Sequence, residues 1–193
     1  MIKIYDDKLP LDLLIDCNLE VEFSNQYFMM HPVSRNANSE ILSYKTNWTF
    51  LDLKEFSPLH IVPPEFTNEK LLRLWKEIIP YIPEPEKHRL KRGYINAHHF
   101  GVEDVIHQDD MDVPHGLTVI VYMCQSWYPE WYGQTTFWEN LYSESKNDII
   151  QSVLPRHNRF IIFDKNIPHS VAPLSRRFQG IRFTCMFKLE RVE

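Results

Sequence analysis

From residue 93 to residue 189 the sequence breaks into short runs rich in β-branched and aromatic residues, each bounded by Pro, Gly, Asn or Asp. They are GYINAHHF (93–100), VIHQ (105–108), LTVIVYMC (117–124), GQTTFWE (133–139), DIIQSVLP (148–155), RFIIFD (159–164), HSVAPL (169–174) and GIRFTCMFKL (180–189). Eight such runs in about 100 residues leave no room for the helices that alternating βα units need, and they predict a β-sandwich or barrel. The material for a core is present, since 44% of the residues are hydrophobic and 13% aromatic, which excludes a disordered chain. Only 5 glycines accompany 13 prolines, so a Gly-rich phosphate-cradling loop, and with it a nucleotide-binding fold, is disfavoured.

A length of 193 residues fits a single domain. Residues 1–90 read as a supporting N-terminal arm and helix, and 91–190 as the β core. In the arm, IKIYDD and LEVEFSNQYFMMH have strand character, residues 10–17 suggest a helical turn, and NWTFLDL (47–53) suggests another strand that ends before Pro63-Pro64. Between Thr67 and Pro80, the residues Leu71, Leu72, Leu74, Trp75, Ile78 and Ile79 recur at helical spacing and predict an amphipathic helix lying on a sheet face. The charged EPEKHRLKR that follows reads as a solvated turn.

The 21 basic and 26 acidic residues give a net charge of −5 with no basic stripe, which disfavours a nucleic-acid partner. No apolar window approaches the length of a membrane span, and the N-terminus lacks a cleavable leader pattern. Cys17, Cys124 and Cys185 are odd in number and lack CxxC spacing, so they predict reduced thiols. A soluble cytoplasmic protein is expected, with no membrane association.

The chemistry starts at IHQDDMD. In a strand, residues two apart share a face, so His107 and Asp109 present an imidazole and a carboxylate side by side. Alone, such a pair is more often a surface histidine beside acids. Downstream, His169 opens IPHSVAPL, and two histidines with one carboxylate form the facial set of non-haem Fe(II) oxygenases, which leaves other coordination positions open. In GIRFTCMFKL, Ile181, Phe183, Cys185, Phe187 and Leu189 alternate with Arg182, Thr184, Met186 and Lys188. If the second face lines a cavity, a buried Arg182 needs a partner, and a ligand carboxylate suits its forked donors. If it lies on an edge, that face meets water.

The order HxD, distant His, then Arg182 resembles the Fe(II)/2-oxoglutarate-dependent dioxygenase superfamily, and its prolyl 4-hydroxylase-like branch in particular. VIVYMCQSWYPEWYGQTTFW is similar to that branch's strand, tryptophan-containing insert and GGxTxF strand. Gly133, Thr135 and Phe137 match, and Tyr132 replaces the first Gly. The resemblance covers residues 90–190. It implies a double-stranded β-helix, a jelly-roll barrel, with Fe(II) on His107, Asp109 and His169. 2-Oxoglutarate is then anchored by Arg182 with Thr135 or Thr184, and Tyr122, His98 and Asn96 are further co-substrate candidates. His98 stands where the branch has a tyrosine. O2 is consumed, and succinate and CO2 are released as an aliphatic C–H bond is hydroxylated. Retention of Asp109 favours hydroxylation over halogenation. The expected substrate is a peptidyl residue, proline first, or a free amino acid or small metabolite.

The aromatic SWYPEWY loop suggests Trp127, Trp131 and Tyr132 as substrate contacts or as a cap on the barrel. Glu103, Asp104, Asp110 and Asp112 could draw a cationic substrate or be solvated loop. His99 and His115 read as loop or packing residues. An alkylation-repair demethylase would carry RxNxxxxxR on its last strands, and here Thr184 stands at the Asn place. A non-redox cupin-type metal-binding or isomerase module would carry HxH with a following Glu instead of HxD. A scaffold without activity has no need of an arginine buried opposite a metal site.

Overall fold

The computed structural model describes residues 1–22, 29–33, 43–58, 68–101, 104–109, 115–141 and 147–192, with 29–33 and 43–58 described by backbone alone. Among these residues, the strands are β1 (Ile2–Asp6), β2 (Met29–Val33), β3 (Ser43–Pro58), β4 (His88–His98), β5 (Gly116–Met123), β6 (Thr135–Trp138), β7 (Ile149–Val153), β8 (Arg159–Asp164), β9 (His169–Val171) and β10 (Arg182–Arg191). The helices are α1 (Leu11–Glu22) and α2 (Glu69–Ile78).

A seven-stranded sheet runs in the order β1-β8-β5-β10-β4-β3-β2, and a three-stranded sheet in the order β7-β6-β9. All their pairings are antiparallel. Phe137 of β6 meets Phe163 of β8 at 4.9 Å between ring centroids, so the small sheet covers the inner face of the large one. This is the double-stranded β-helix, in which the inward residues of both sheets enclose a narrow space.

β10 shows how one strand serves two environments. Its outward Cys185, Phe187 and Leu189 join the core layer beneath the helices, while Met186 joins the layer between the sheets. Strand alternation sends Arg182, Thr184 and Lys188 to the same inner side as Met186.

On the outer face, α2 buries Leu71, Leu74, Trp75 and Ile78, each worth about 1.5–3 kcal/mol for an aliphatic or aromatic side chain. Trp75 lies 4.9 Å from Phe187, which fixes the helix on the sheet. Asn68 caps it by accepting a hydrogen bond from the Leu71 N–H at 3.0 Å. Helix α1 extends to Glu22, so Leu19–Glu22, expected as strand, are helical. The reason is tertiary: Leu13, Cys17 and Val21 stand four apart on the face buried in this layer, and that burial overrides local alternation. The rest of the expected LEVEFSNQYFMMH strand falls partly at 23–28, outside the described residues, before β2 begins at Met29.

The expected solvated turn EPEKHRLKR is also corrected. A short 3₁₀ turn covers Pro85–Lys87, and His88 begins β4, with His88 and Leu90 buried and Arg89 and Lys91 turned outward. Arg89, Lys91 and Arg92 stay partly exposed beside these buried residues, which is compatible with a strand that has one wet side. At the opposite edge, Arg159 grips Asp6 through Nε at 2.7 Å and a terminal nitrogen at 2.8 Å, which fixes β1 in register on β8. The three cysteines are unpaired. Among the described residues no helix is long and apolar enough to cross a membrane.

Candidate metal centre

Residues 105–108 form no continuous strand. A single antiparallel bridge joins His107 to His169, with both N–H···O hydrogen bonds at 2.9 Å. The bridge sets the two histidines directly opposite each other, so one pair of backbone bonds does what a longer strand was expected to do. Asp109 is held next to them by its N–H, which donates to Lys165 O at 3.1 Å.

One nitrogen or oxygen from each of His107, Asp109 and His169 lies within 4.8 Å of the others, a set able to hold a metal ion. His107 Nε2 is 3.8 Å from Asp109 Oδ1, and His169 Nε2 is 3.7 Å from Oδ2. Each imidazole uses Nδ1 on a nearby backbone carbonyl, Val105 O and Ile167 O respectively, both at 2.9 Å. A carbonyl only accepts, so Nδ1 carries the proton and Nε2 presents its lone pair to the centre. Burial pulls the His169 imidazole down to about 4 against the opposing pull of Asp109, which keeps it neutral as a ligand must be. Burial alone would raise the Asp109 carboxyl, but the Lys188 ammonium beside it outweighs burial and holds the group below the usual carboxylate range. The donor set therefore fits a first-row divalent cation with positions to spare.

A narrow pocket opens on this set. Arg182, Thr184, Thr135, His98 and Asn96 line it together with His107, Asp109 and His169. Its apolar wall comes from Tyr94, Ile120, Val171 and Met186. Arg182 is 2% exposed, donates to Thr135 Oγ1 at 3.3 Å, and has no hydrogen-bond partner for Nε among the described residues. Its guanidinium lies 5.4 Å from the Tyr122 ring centroid. Burial draws its pKa down from the ordinary value, against the opposing pull of Tyr122 and of the Asp104 carboxylate in the same wall. Asn96 Oδ1 is likewise buried without a partner among the described residues. A ligand with acceptors for Arg182 would satisfy the first, and one with a donor the second.

Tyr122 is not among the cavity-lining residues. Its hydroxyl sits 2.9 Å from Thr135 Oγ1 and 3.1 Å from Val153 O, and so supports Thr135 from behind. Trp127, Trp131 and Tyr132 do not line the cavity either. Trp127 and Trp131 pack on each other and on Phe178, at 4.8–5.5 Å between centroids. Tyr132 bridges to Leu174, so the loop is fastened down at its base. Trp127 instead borders a separate groove with Phe178 and Ile181. His99 is exposed and bonded to its neighbour's carbonyl, and His115 lines a different hollow. Asp104 lies in the cavity wall with its side chain 6% exposed, where a solvated loop acid was one expectation. Glu103, Asp110 and Asp112 lie outside the described residues.

Two features escaped the sequence. Lys188 reaches Asp109, as described below. Gly133 has φ +69°, and a Cβ there would come within 2.6 Å of Leu174 Cδ2 and 3.2 Å of Arg182 Cδ. Gly133→Ala should therefore push on the arginine as well as strain the backbone, costing about 1–3 kcal/mol. The expected result is a fall in Tm of about 5 °C, read by thermal denaturation.

A model of the 2OG-Fe(II) oxygenase superfamily matches residues 94–187. No curated protein matches the sequence. Among solved structures, a Pseudomonas putida prolyl-4-hydroxylase superposes with a TM-score of 0.60 at 15% identity, covering 98% of this chain and 92% of the other. A Trichoplax adhaerens prolyl hydroxylase in complex with a hypoxia inducible factor peptide fragment gives 0.63 at 14%, covering 98% and 83%. The α-ketoglutarate-dependent epimerase SnoN from nogalamycin biosynthesis gives 0.66 at 11%, covering 98% and 78%. At these identities the likeness is one of fold, and the fold serves both hydroxylation and epimerisation.

Proposed function

Because the chain belongs to the 2OG-Fe(II) oxygenase superfamily, we propose that it hydroxylates an aliphatic C–H bond, and that its substrate is a peptidyl residue, proline first, with a free amino acid or small metabolite as the other class. The enzyme uses Fe(II), 2-oxoglutarate and O2. The observation that carries the reading is a single cavity lined by His107, Asp109 and His169 and by Arg182, a buried cation with a nitrogen still to be bonded.

In this reading, His107 Nε2, Asp109 and His169 Nε2 hold the iron, and Arg182 with Thr135 takes the distal carboxylate of 2-oxoglutarate, with Thr184 beside them. When bound, iron and 2-oxoglutarate supply oxidative decarboxylation, in which one oxygen atom of O2 ends in succinate and the other in the hydroxylated product, with CO2 released. The chain's own part is placement. The His107–His169 bridge fixes the imidazoles, Tyr122 fixes Thr135, and Tyr94, Ile120, Val171 and Met186 keep water from the cavity. Asp109 supports hydroxylation because its carboxylate fills the ligand position that a halogenating site would keep open for halide.

The peptidyl substrate is supported by the prolyl hydroxylases among the structures of like fold, one of them holding a peptide. A panel of proline-containing peptides, free amino acids and metabolites, incubated with enzyme, Fe(II) and 2-oxoglutarate in air, should yield one peptide that gains the mass of one oxygen atom with equimolar succinate. A gain confined to free metabolites retires the peptidyl substrate. A non-redox cupin-type module yields succinate with no member of the panel.

A further inference from the structure

Lys188 carries a charge that neither the metal set nor the co-substrate anchor uses. It lies on the inner side of β10, three alternate positions beyond Arg182, with its side chain 7% exposed. Its Nζ forms an ion pair with Asp109 Oδ2, lies 3.2 Å from Thr118 Oγ1 and stands 5.8 Å from the Tyr94 ring centroid. Thr118 Oγ1 itself donates to the same Oδ2 at 2.7 Å. Register explains the meeting, because Lys188 and Thr118 are direct cross-strand partners in the β10–β5 ladder. One carboxylate oxygen of Asp109 is thus gripped by an ammonium and a hydroxyl.

Resting on the reading of His107, Asp109 and His169 as the metal set, we infer that Lys188 is a positioning residue that sets metal affinity. It neutralises Asp109 when no metal is bound, and it opposes the metal when one is. A buried carboxylate stripped of its partner is strongly unfavourable, so without metal the barrel depends on the ammonium. A divalent ion on the same carboxylate places like charges close together in a medium that screens them poorly. The two cations therefore compete for one anion, and the barrel folds and keeps Asp109 aimed without metal at the expense of tight binding. Oδ2, already holding two donors, is also the poorer ligand atom, which leaves Oδ1 to the metal.

The test uses Mn(II) titrated calorimetrically into chelator-treated full-length protein, with thermal denaturation alongside, and reads no turnover. Lys188→Met preserves length and removes the charge. Its metal-free form should melt about 10 °C below wild type. It should also bind Mn(II) about tenfold more tightly, so that Mn(II) narrows the gap in melting temperature. Lys188→Gln keeps an N–H donor for Asp109 and should tighten binding as well, which separates charge from hydrogen bonding. A variant that folds only with Mn(II) is the same result at its limit.

Mn(II) binding equal to or weaker than wild type in both variants overturns the inference and leaves the metal set standing. Variants that fold under neither condition make Lys188 a plain support of the barrel and overturn it too. A wild-type protein that binds no Mn(II) removes the metal reading itself, and the inference with it.

Discussion

Arg182→Met is expected to raise the 2-oxoglutarate concentration needed for half-maximal binding by about 100-fold or more, because truncating one member of a buried charged pair costs roughly 2–5 kcal/mol. The same variant should not lose stability, and its ligand-free form should melt at or above the wild-type temperature. In the protein alone, Arg182 is a fully buried cation whose support is Thr135 Oγ1 at 3.3 Å and the face of Tyr122, with Nε unpartnered among the described residues. Methionine fills much of the same volume without a charge to desolvate. Adding 2-oxoglutarate with Mn(II) in place of iron should raise the melting temperature of wild type above that given by Mn(II) alone, and should add nothing for the variant. An arginine retained for structure would show the reverse: a large drop in melting temperature and unchanged ligand binding.

How far the sequence reached depended on how local the signal was. The alternation in GIRFTCMFKL assigned the two faces of β10 correctly, because a strand between a helical layer and a lined cavity writes both environments into successive residues. The candidate set His107, Asp109 and His169 could be picked out for a similar reason: HxD spacing and a histidine at a strand start are one-dimensional features, and the fold brings the three side chains together. Where tertiary contact decided the outcome, local reading failed. LEVE alternates like a strand, yet it continues α1 because Val21 repeats the four-residue spacing of Leu13 and Cys17. EPEKHRLKR looks solvated, yet its second half is the first half of β4, where Arg89, Lys91 and Arg92 stay partly exposed while His88 and Leu90 are buried. Lys188 was placed on the cavity side, but its pairing with Asp109 follows from cross-strand register with Thr118, which no spacing within either segment reveals. The aromatic loop at 127–132 supplied a strong compositional signal, and packing on Phe178 accounts for much of it.

Substituting two residues of the proposed metal set should cost turnover equally and stability unequally. His107→Ala and Asp109→Ala each remove one donor atom, and each should lower turnover at least about 100-fold, given that even the outer supports of a metal ligand are worth 10–100-fold. The stability effects part because the two side chains leave different things behind. The His107 side chain is 31% exposed, and its Nδ1 bonds the Val105 carbonyl and stands 3.9 Å from Asp104 Oδ1, so its loss weakens a long contact and breaks no tight ion pair, and the melting temperature of chelator-treated protein should fall less than for Asp109→Ala. Asp109 is the anionic partner of Lys188 and the acceptor for Thr118, both buried. Its removal strands an ammonium in the barrel, at about 3–5 kcal/mol, and the melting temperature should fall by about 10 °C. Adding Lys188→Met to Asp109→Ala should recover most of that loss while leaving turnover absent, because an apolar pair replaces a broken ionic one. If the single Asp109 variant melts like the His107 variant, the ammonium has reached solvent and the buried pair is not what holds the carboxylate in place.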